Sequence, residues 1–211
     1  MPEGVFQTQF QVNVKMNVAI GDPALDRSIV LVGLMGSGKS AIGRRLAARI
    51  GMKFVDADTE IEAAAGLSIN DIFEVHGEQA FRDGERRVIA RLLSEPAHVL
   101  ATGGGAFMDE ETRQKIKERA FSVWLRADFD VLLRRVSRRD NRPLLKVENK
   151  EEVLRRLIEE RYPIYQKADI IVQSQDGPHE ETVIDVIGAL KRLIGNQPLD
   201  ADATRSSNLA T

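Results

Sequence analysis

The run Ser28-Ile29-Val30-Leu31-Val32 opens directly onto Gly33-Leu34-Met35-Gly36-Ser37-Gly38-Lys39-Ser40, and this junction constrains the fold more than any other feature of the chain. The first segment is continuous and rich in β-branched residues, as a strand buried on both faces is. The second fits G-x-x-x-x-G-K-[ST] without a mismatch. Ile42, Leu46 and Ile50 then recur at helical spacing, and Gly51 stands where a helix C-cap belongs. Strand, glycine-rich loop and helix in that order make a phosphate-binding loop. Gly36, Ser37 and Gly38 let backbone N–H groups turn toward phosphate at the positive end of the helix. Lys39 can reach the β- and γ-phosphates, and the Ser40 hydroxyl can ligate magnesium. Ala41 completes the nucleotide-binding segment and leaves Ser40 as its only metal-ligating hydroxyl.

The remainder alternates short apolar runs with helical patterns. Lys53-Phe54-Val55 reads as a second strand ending in Asp56 and Asp58, followed by a short helix to Gly66. Ser68 with Asp71 resembles a capping box and starts a helix carrying Ile69, Ile72 and Phe73, with more helix to about Leu93. Strands are expected at His98–Ala101, Phe121–Leu125 and Asp169–Val172, and helices from Asp128 through Val136, over 151–168 and over 180–194. Such alternation indicates βαβ units and a parallel sheet. Residues 1–26 are a weakly patterned extension, in which Val12, Val14 and Met16 alternate as in a short strand, and residues 196–211 are expected to be a disordered tail. The P-loop domain is thus expected over 27–195.

Composition removes several classes. The 211 residues suit one domain, and with 43% hydrophobic residues the chain can bury a core. A formal net charge of -2 argues against a general nucleic-acid binder. Cysteine is absent, which excludes disulfides, thiolate metal sites and a cysteine nucleophile. His76, His98 and His179 have no metal-ligand spacing, and His76 reads as a surface or cap residue. Apolar runs are too short to cross a membrane. A cytoplasmic protein without nucleic-acid or membrane partners is expected.

A phosphate loop alone does not choose among kinases, GTPases and motors. Asn149-Lys150-Glu151-Glu152 only echoes a guanine-reading N-K-x-D, since it ends in Glu within a polar loop. The third strand ends in Thr102-Gly103-Gly104-Gly105 rather than in the acid of a Walker B strand, and the glycines suit close backbone approach to a ligand at the carboxyl edge of the sheet. Arg138 to Lys150 carries Arg138, Arg139 and Arg142, as a phosphate-clamping lid would. Phe121 and Trp124 read as core, and Pro163 within a helical pattern implies a kink.

Six separated motifs together resemble the shikimate kinases, across residues 28–194. They are the phosphate loop, Asp56-Ala57-Asp58, the F-R-x-x-E of Phe81-Arg82 and Glu85, Thr102 to Gly105, Arg142-Pro143-Leu144-Leu145, and Arg161-x-Pro163-x-Tyr165. The resemblance implies a three-layer αβα fold of the nucleoside-monophosphate-kinase type with a five-stranded parallel sheet. It implies transfer of the γ-phosphoryl group of ATP, with Mg2+, to the shikimate 3-hydroxyl. Asp56 would assist magnesium and Asp58 would grip the ring hydroxyls. Arg82 and Arg161 would bind the carboxylate, Gly103, Gly104 and Gly105 would contact the acceptor through backbone, and Arg142 would come from a closing lid. Arg135 matches the position against adenine. The residue types suit such an acceptor, because two guanidinium forks orient a carboxylate and an acceptor-only Asp selects hydroxyls. The catalytic set implied is Lys39, Asp58 and Arg142, in a monomer. Competing readings are another small-molecule kinase, such as a gluconate or nucleotide kinase, and a nucleotide-dependent binding protein without transfer activity.

Overall fold

A computed structural model describes residues 26–137 and 149–195. Its elements are β1 (Ser28–Val32), α1 (Lys39–Ile50), β2 (Lys53–Asp56), α2 (Ala57–Ala65), α3 (Ile69–Leu92), β3 (His98–Ala101), a 3-10 turn (Ala106–Met108), α4 (Glu110–Arg119), β4 (Ala120–Arg126), α5 (Phe129–Ser137), α6 (Lys150–Tyr165), β5 (Ile170–Gln173) and α7 (His179–Gly195). All strand pairings are parallel, in the order β2-β3-β1-β4-β5. The five-stranded α/β sheet expected from the sequence is therefore present.

β1 is buried along its whole length because it is the central strand, and its alternate residues feed two cores. Val30 and Val32 join the core packed under α2, α3, α4, α5 and α6, together with Trp124 and Tyr165. Ile29 and Leu31 join the core packed under α1 and α7, together with Phe121. Helices on both faces give the three layers, and Phe121 and Trp124, three apart on β4, are core on opposite sides of the sheet.

Several local expectations are corrected. α4 was not legible, because its buried residues are only Thr112 and Ile116, too few to make an apolar stripe. α3 is two helical parts joined at Gly77, whose φ of 80 and ψ of 171 are not helical, in keeping with the helix expected from Ser68 and the further helix expected to about Leu93. α6 stops at Tyr165 rather than 168, with Pro163 in its last turn, where it leaves the Glu159 carbonyl without its usual donor. Asp58 lies inside α2, so the extended geometry of β2 does not persist to it. The extension 1–25, the tail 196–211 and most of the expected lid fall outside the described residues. Among the described residues, no helix is long and apolar enough to cross a membrane.

Candidate active site

The phosphate loop joins β1 to α1 at the carboxyl edge of the sheet, where open α/β folds bind ligands. Gly38 caps α1 with φ 94, a left-handed conformation that a Cβ would strain. The Lys39 side chain is buried inside the loop, and Nζ donates to Gly33 O at 2.7 Å and Leu34 O at 3.0 Å. Ser40 Oγ donates to Asp56 Oδ2 at 2.6 Å, so the loop and the end of β2 share one oxygen pair. Asp56 Oδ1 also accepts from Asp58 N, which makes Asp56 the N-cap of α2.

On the far flank of the loop, Arg135 Nη1 donates to Gly36 O at 3.2 Å and to Ser174 Oγ at 3.1 Å. Ser174 Oγ in turn donates to Ser37 O at 2.9 Å. Burial pulls the Arg135 guanidinium below its ordinary value, with Asp176 opposing and Arg134 adding. Ser174 was missed from sequence; it lies just past β5, and only its position at the carboxyl edge could have marked it. His179 opens α7, and its Cε1 would lie 3.6 Å from a Cβ at Gly38. His98 is buried at the other end of the sheet beside Ser28, while His76 is exposed, as expected.

The glycine triplet follows β3, beside the phosphate loop. Thr102 fixes that position by donating from N and Oγ1 to Leu31 O on β1. Around the triplet, α2, α3 and α6 bring Asp58, Arg82 and Arg161 together. A Cβ at Gly103 would meet Glu85 Oε1 at 2.5 Å and Asp58 Oδ1 at 3.1 Å, and one at Gly105 would run into the Arg82 guanidinium. A side chain at either position would have to displace the Glu85 carboxylate or the Arg82 guanidinium. Arg161 Nη1 donates to Gly104 O at 2.9 Å, and the Tyr165 hydroxyl donates to the same oxygen.

Arg82 is held between Glu78 at 3.0 Å and Glu85 at 2.8 Å. Burial pulls its guanidinium down, but Glu85 and Glu78 outweigh that and hold it above its ordinary value. Burial pushes the Glu85 carboxyl up; Arg82 opposes, Asp58 adds, and Arg161 opposes more weakly. Glu85 Oε1 is buried with no hydrogen-bond partner among the described residues. Sequence reasoning quoted Glu85 and Tyr165 as motif letters without giving either a role. Their spacing was the available signal: Glu85 is one helical turn from Arg82, and Tyr165 one turn from Arg161. Arg138, Arg139 and Arg142 lie outside the described residues.

Donors suited to phosphate thus lie on one side of Gly104, and groups suited to a compact hydroxylated acid lie on the other. That division defines the class, a P-loop kinase of small molecules. The family model for shikimate kinase matches residues 35–191, and the chain belongs to that family. It is 59% identical over 165 residues to a shikimate kinase of Rhodopseudomonas palustris, covering 78% of this chain and 81% of the relative. A solved structure, a shikimate kinase from Acinetobacter baumannii in complex with shikimate, aligns with TM-score 0.76 and 38% identity, covering 82% of this chain and 96% of that one. A gluconokinase from Sinorhizobium meliloti 1021, with TM-score 0.53 and 22% identity over 82% of this chain and 95% of its own, shares the fold alone.

Proposed function

We propose that this kinase transfers the γ-phosphoryl group of ATP to the 3-hydroxyl of shikimate, giving shikimate 3-phosphate and ADP. One observation carries the reading: Asp58, Arg82 and Arg161, from three different helices, converge on Gly103–Gly105 beside the phosphate loop. Shikimate offers one carboxylate and three hydroxyls. Arg82 and Arg161 bind the carboxylate as guanidinium forks, and Asp58 accepts hydrogen bonds from the hydroxyls. The glycine triplet allows the ring to approach backbone.

In the reaction, the acceptor oxygen bonds to the γ-phosphorus as the bond from that phosphorus to the β–γ bridging oxygen breaks. ADP leaves with that electron pair, and Asp58 takes the hydroxyl proton; a loose transition state does not require a strong base. Gly36, Ser37, Gly38, Lys39, Ser40 and Ala41 bind the nucleotide phosphates, Lys39 stabilises charge on the transferring group, and Arg142 adds a second cation. Arg135 lies against the nucleotide base. Mg2+ fits the site: Ser40 and Asp56 supply a hydroxyl and a carboxylate, hard oxygen donors already 2.6 Å apart. When bound, the ion neutralises phosphate charge. No cluster of three or more His, Cys, Asp or Glu side chains suited to a metal occurs among the described residues, which agrees with an ion held mainly by phosphates. The enzyme acts in the cytoplasm as a monomer; the absence of cysteine suits a reducing compartment.

A coupled ADP-release assay over shikimate, quinate, gluconate and nucleoside monophosphates tests the assignment. Shikimate is expected to give the highest kcat/KM by a wide margin. Preference for another acceptor, or ADP release independent of acceptor, would overturn it.

A further inference from the structure

The acceptor side of the site rests on a single backbone carbonyl. Gly104 O has two lone pairs and two donors, Arg161 Nη1 and the Tyr165 hydroxyl. Both donors come from α6, one turn apart and so on one face of the helix. Tyr165 is fully buried, with its ring among Phe107, Trp124 and Tyr162. Such packing leaves the phenol no freedom to swing to solvent. Burial pushes its pKa up to about 12, so it remains a donor throughout the neutral range. Gly104 is wedged between α6 and the phosphate loop: a Cβ there would lie 3.3 Å from Arg161 Nη1, 3.6 Å from Gly33 O and 3.8 Å from Met35 N.

We propose that Tyr165 is a positioning residue for acceptor binding: by donating to Gly104 O it fixes the Gly104–Gly105 peptide and, through the shared oxygen, the guanidinium of Arg161. The peptide is planar and trans, so holding its carbonyl toward α6 directs the Gly105 N–H the opposite way. With Nη1 engaged by Gly104 O, the remaining Arg161 N–H groups have a defined direction in which to meet a carboxylate. Tyr165 touches no reacting atom; it acts through Gly104 and Arg161. This role rests on the shikimate kinase reading above.

Tyr165→Phe removes the hydroxyl and keeps the ring. Tyr162→Phe is the matched control, because Tyr162 shares the aromatic cluster but donates to Ala127 O instead. Loss of a buried hydrogen bond to the loop is expected to raise KM for shikimate about five- to twentyfold in Tyr165→Phe, with KM for ATP within about twofold of wild type. Hydrogen exchange across residues 102–108 is expected to accelerate in Tyr165→Phe and not in Tyr162→Phe. Unchanged exchange there in Tyr165→Phe, or equal changes in KM and exchange in both variants, overturns the proposal. Failure of the wild-type enzyme to turn over shikimate would refute the functional reading instead, and the exchange measurement, made without acceptor, still decides whether Tyr165 holds the glycine loop.

Discussion

Lys39 is 8% exposed and fastens its ammonium to two carbonyls of its own loop, so the charge is pre-placed at the curve where phosphate binds. Lys39→Met keeps a similar buried volume and deletes the charge. It is expected to lower kcat on the order of a thousandfold with the fold intact, since charge stabilisation is most of what this chemistry asks of the protein. Near-normal turnover by a folded Lys39→Met protein would remove Lys39 from the catalytic set. Glu85 makes a different prediction. Burial raises its carboxyl above the ordinary 4.5, so the folded state holds the proton more tightly than the unfolded chain. The corresponding contribution to stability is complete below the unfolded value and is lost as pH rises through the folded one. Gln mimics the protonated carboxyl at every pH. The melting temperature of Glu85→Gln, measured relative to wild type, should therefore climb as pH is raised from 4.5 toward neutrality. A difference that stays flat across that range excludes Glu85 as a buried titrating group.

Asp56 shows how one side chain serves two elements. It ends β2, caps α2 through Oδ1 and accepts from Ser40 through Oδ2. The sequence marked the two aspartates as a site at the end of β2, without showing that one of them caps the helix that follows. α2 begins at Ala57 because Asp56 itself is the cap. Asn also caps well, so Asp56→Asn should leave stability almost unchanged and raise the magnesium concentration needed for half-maximal rate. Asp56→Ala should show the same magnesium defect and lose about 1 kcal/mol of stability as well. Thermal melts and magnesium titrations of both variants check the split; equal magnesium dependence in wild type and Asp56→Asn would take Asp56 out of the metal site. Elements were legible where their apolar stripe was strong, as in β1 and α1. They were not where burial is sparse, as in α4.

At the scale of the whole molecule, strand number and direction followed from the alternation of elements, while the order β2-β3-β1-β4-β5 did not. That order sets the end of β3 between Asp56 on β2 and Gly33 after β1, and so converts separated motifs into one site. Spacing along the chain carries no record of such juxtaposition, and the family resemblance supplied it instead. The sheet also sets the helix of the phosphate loop apart from the two acceptor arginines. α1, which follows the phosphate loop, packs on one core with α7, whereas Arg82 on α3 and Arg161 on α6 rise from helices over the opposite face. The arginines should therefore matter to the acceptor far more than to the nucleotide. Replacing either by Lys keeps the charge but discards the planar fork, and for Arg82 it also weakens the tie to Glu85. Arg82→Lys and Arg161→Lys are each expected to raise KM for shikimate on the order of tenfold or more, while the Kd for ATP without acceptor stays within about twofold of wild type. Calorimetric titration with ATP, set beside acceptor kinetics, measures both quantities on the same preparations. If ATP affinity falls in step with shikimate affinity, the two arginines support the nucleotide site or the scaffold, and the carboxylate clamp must be sought elsewhere.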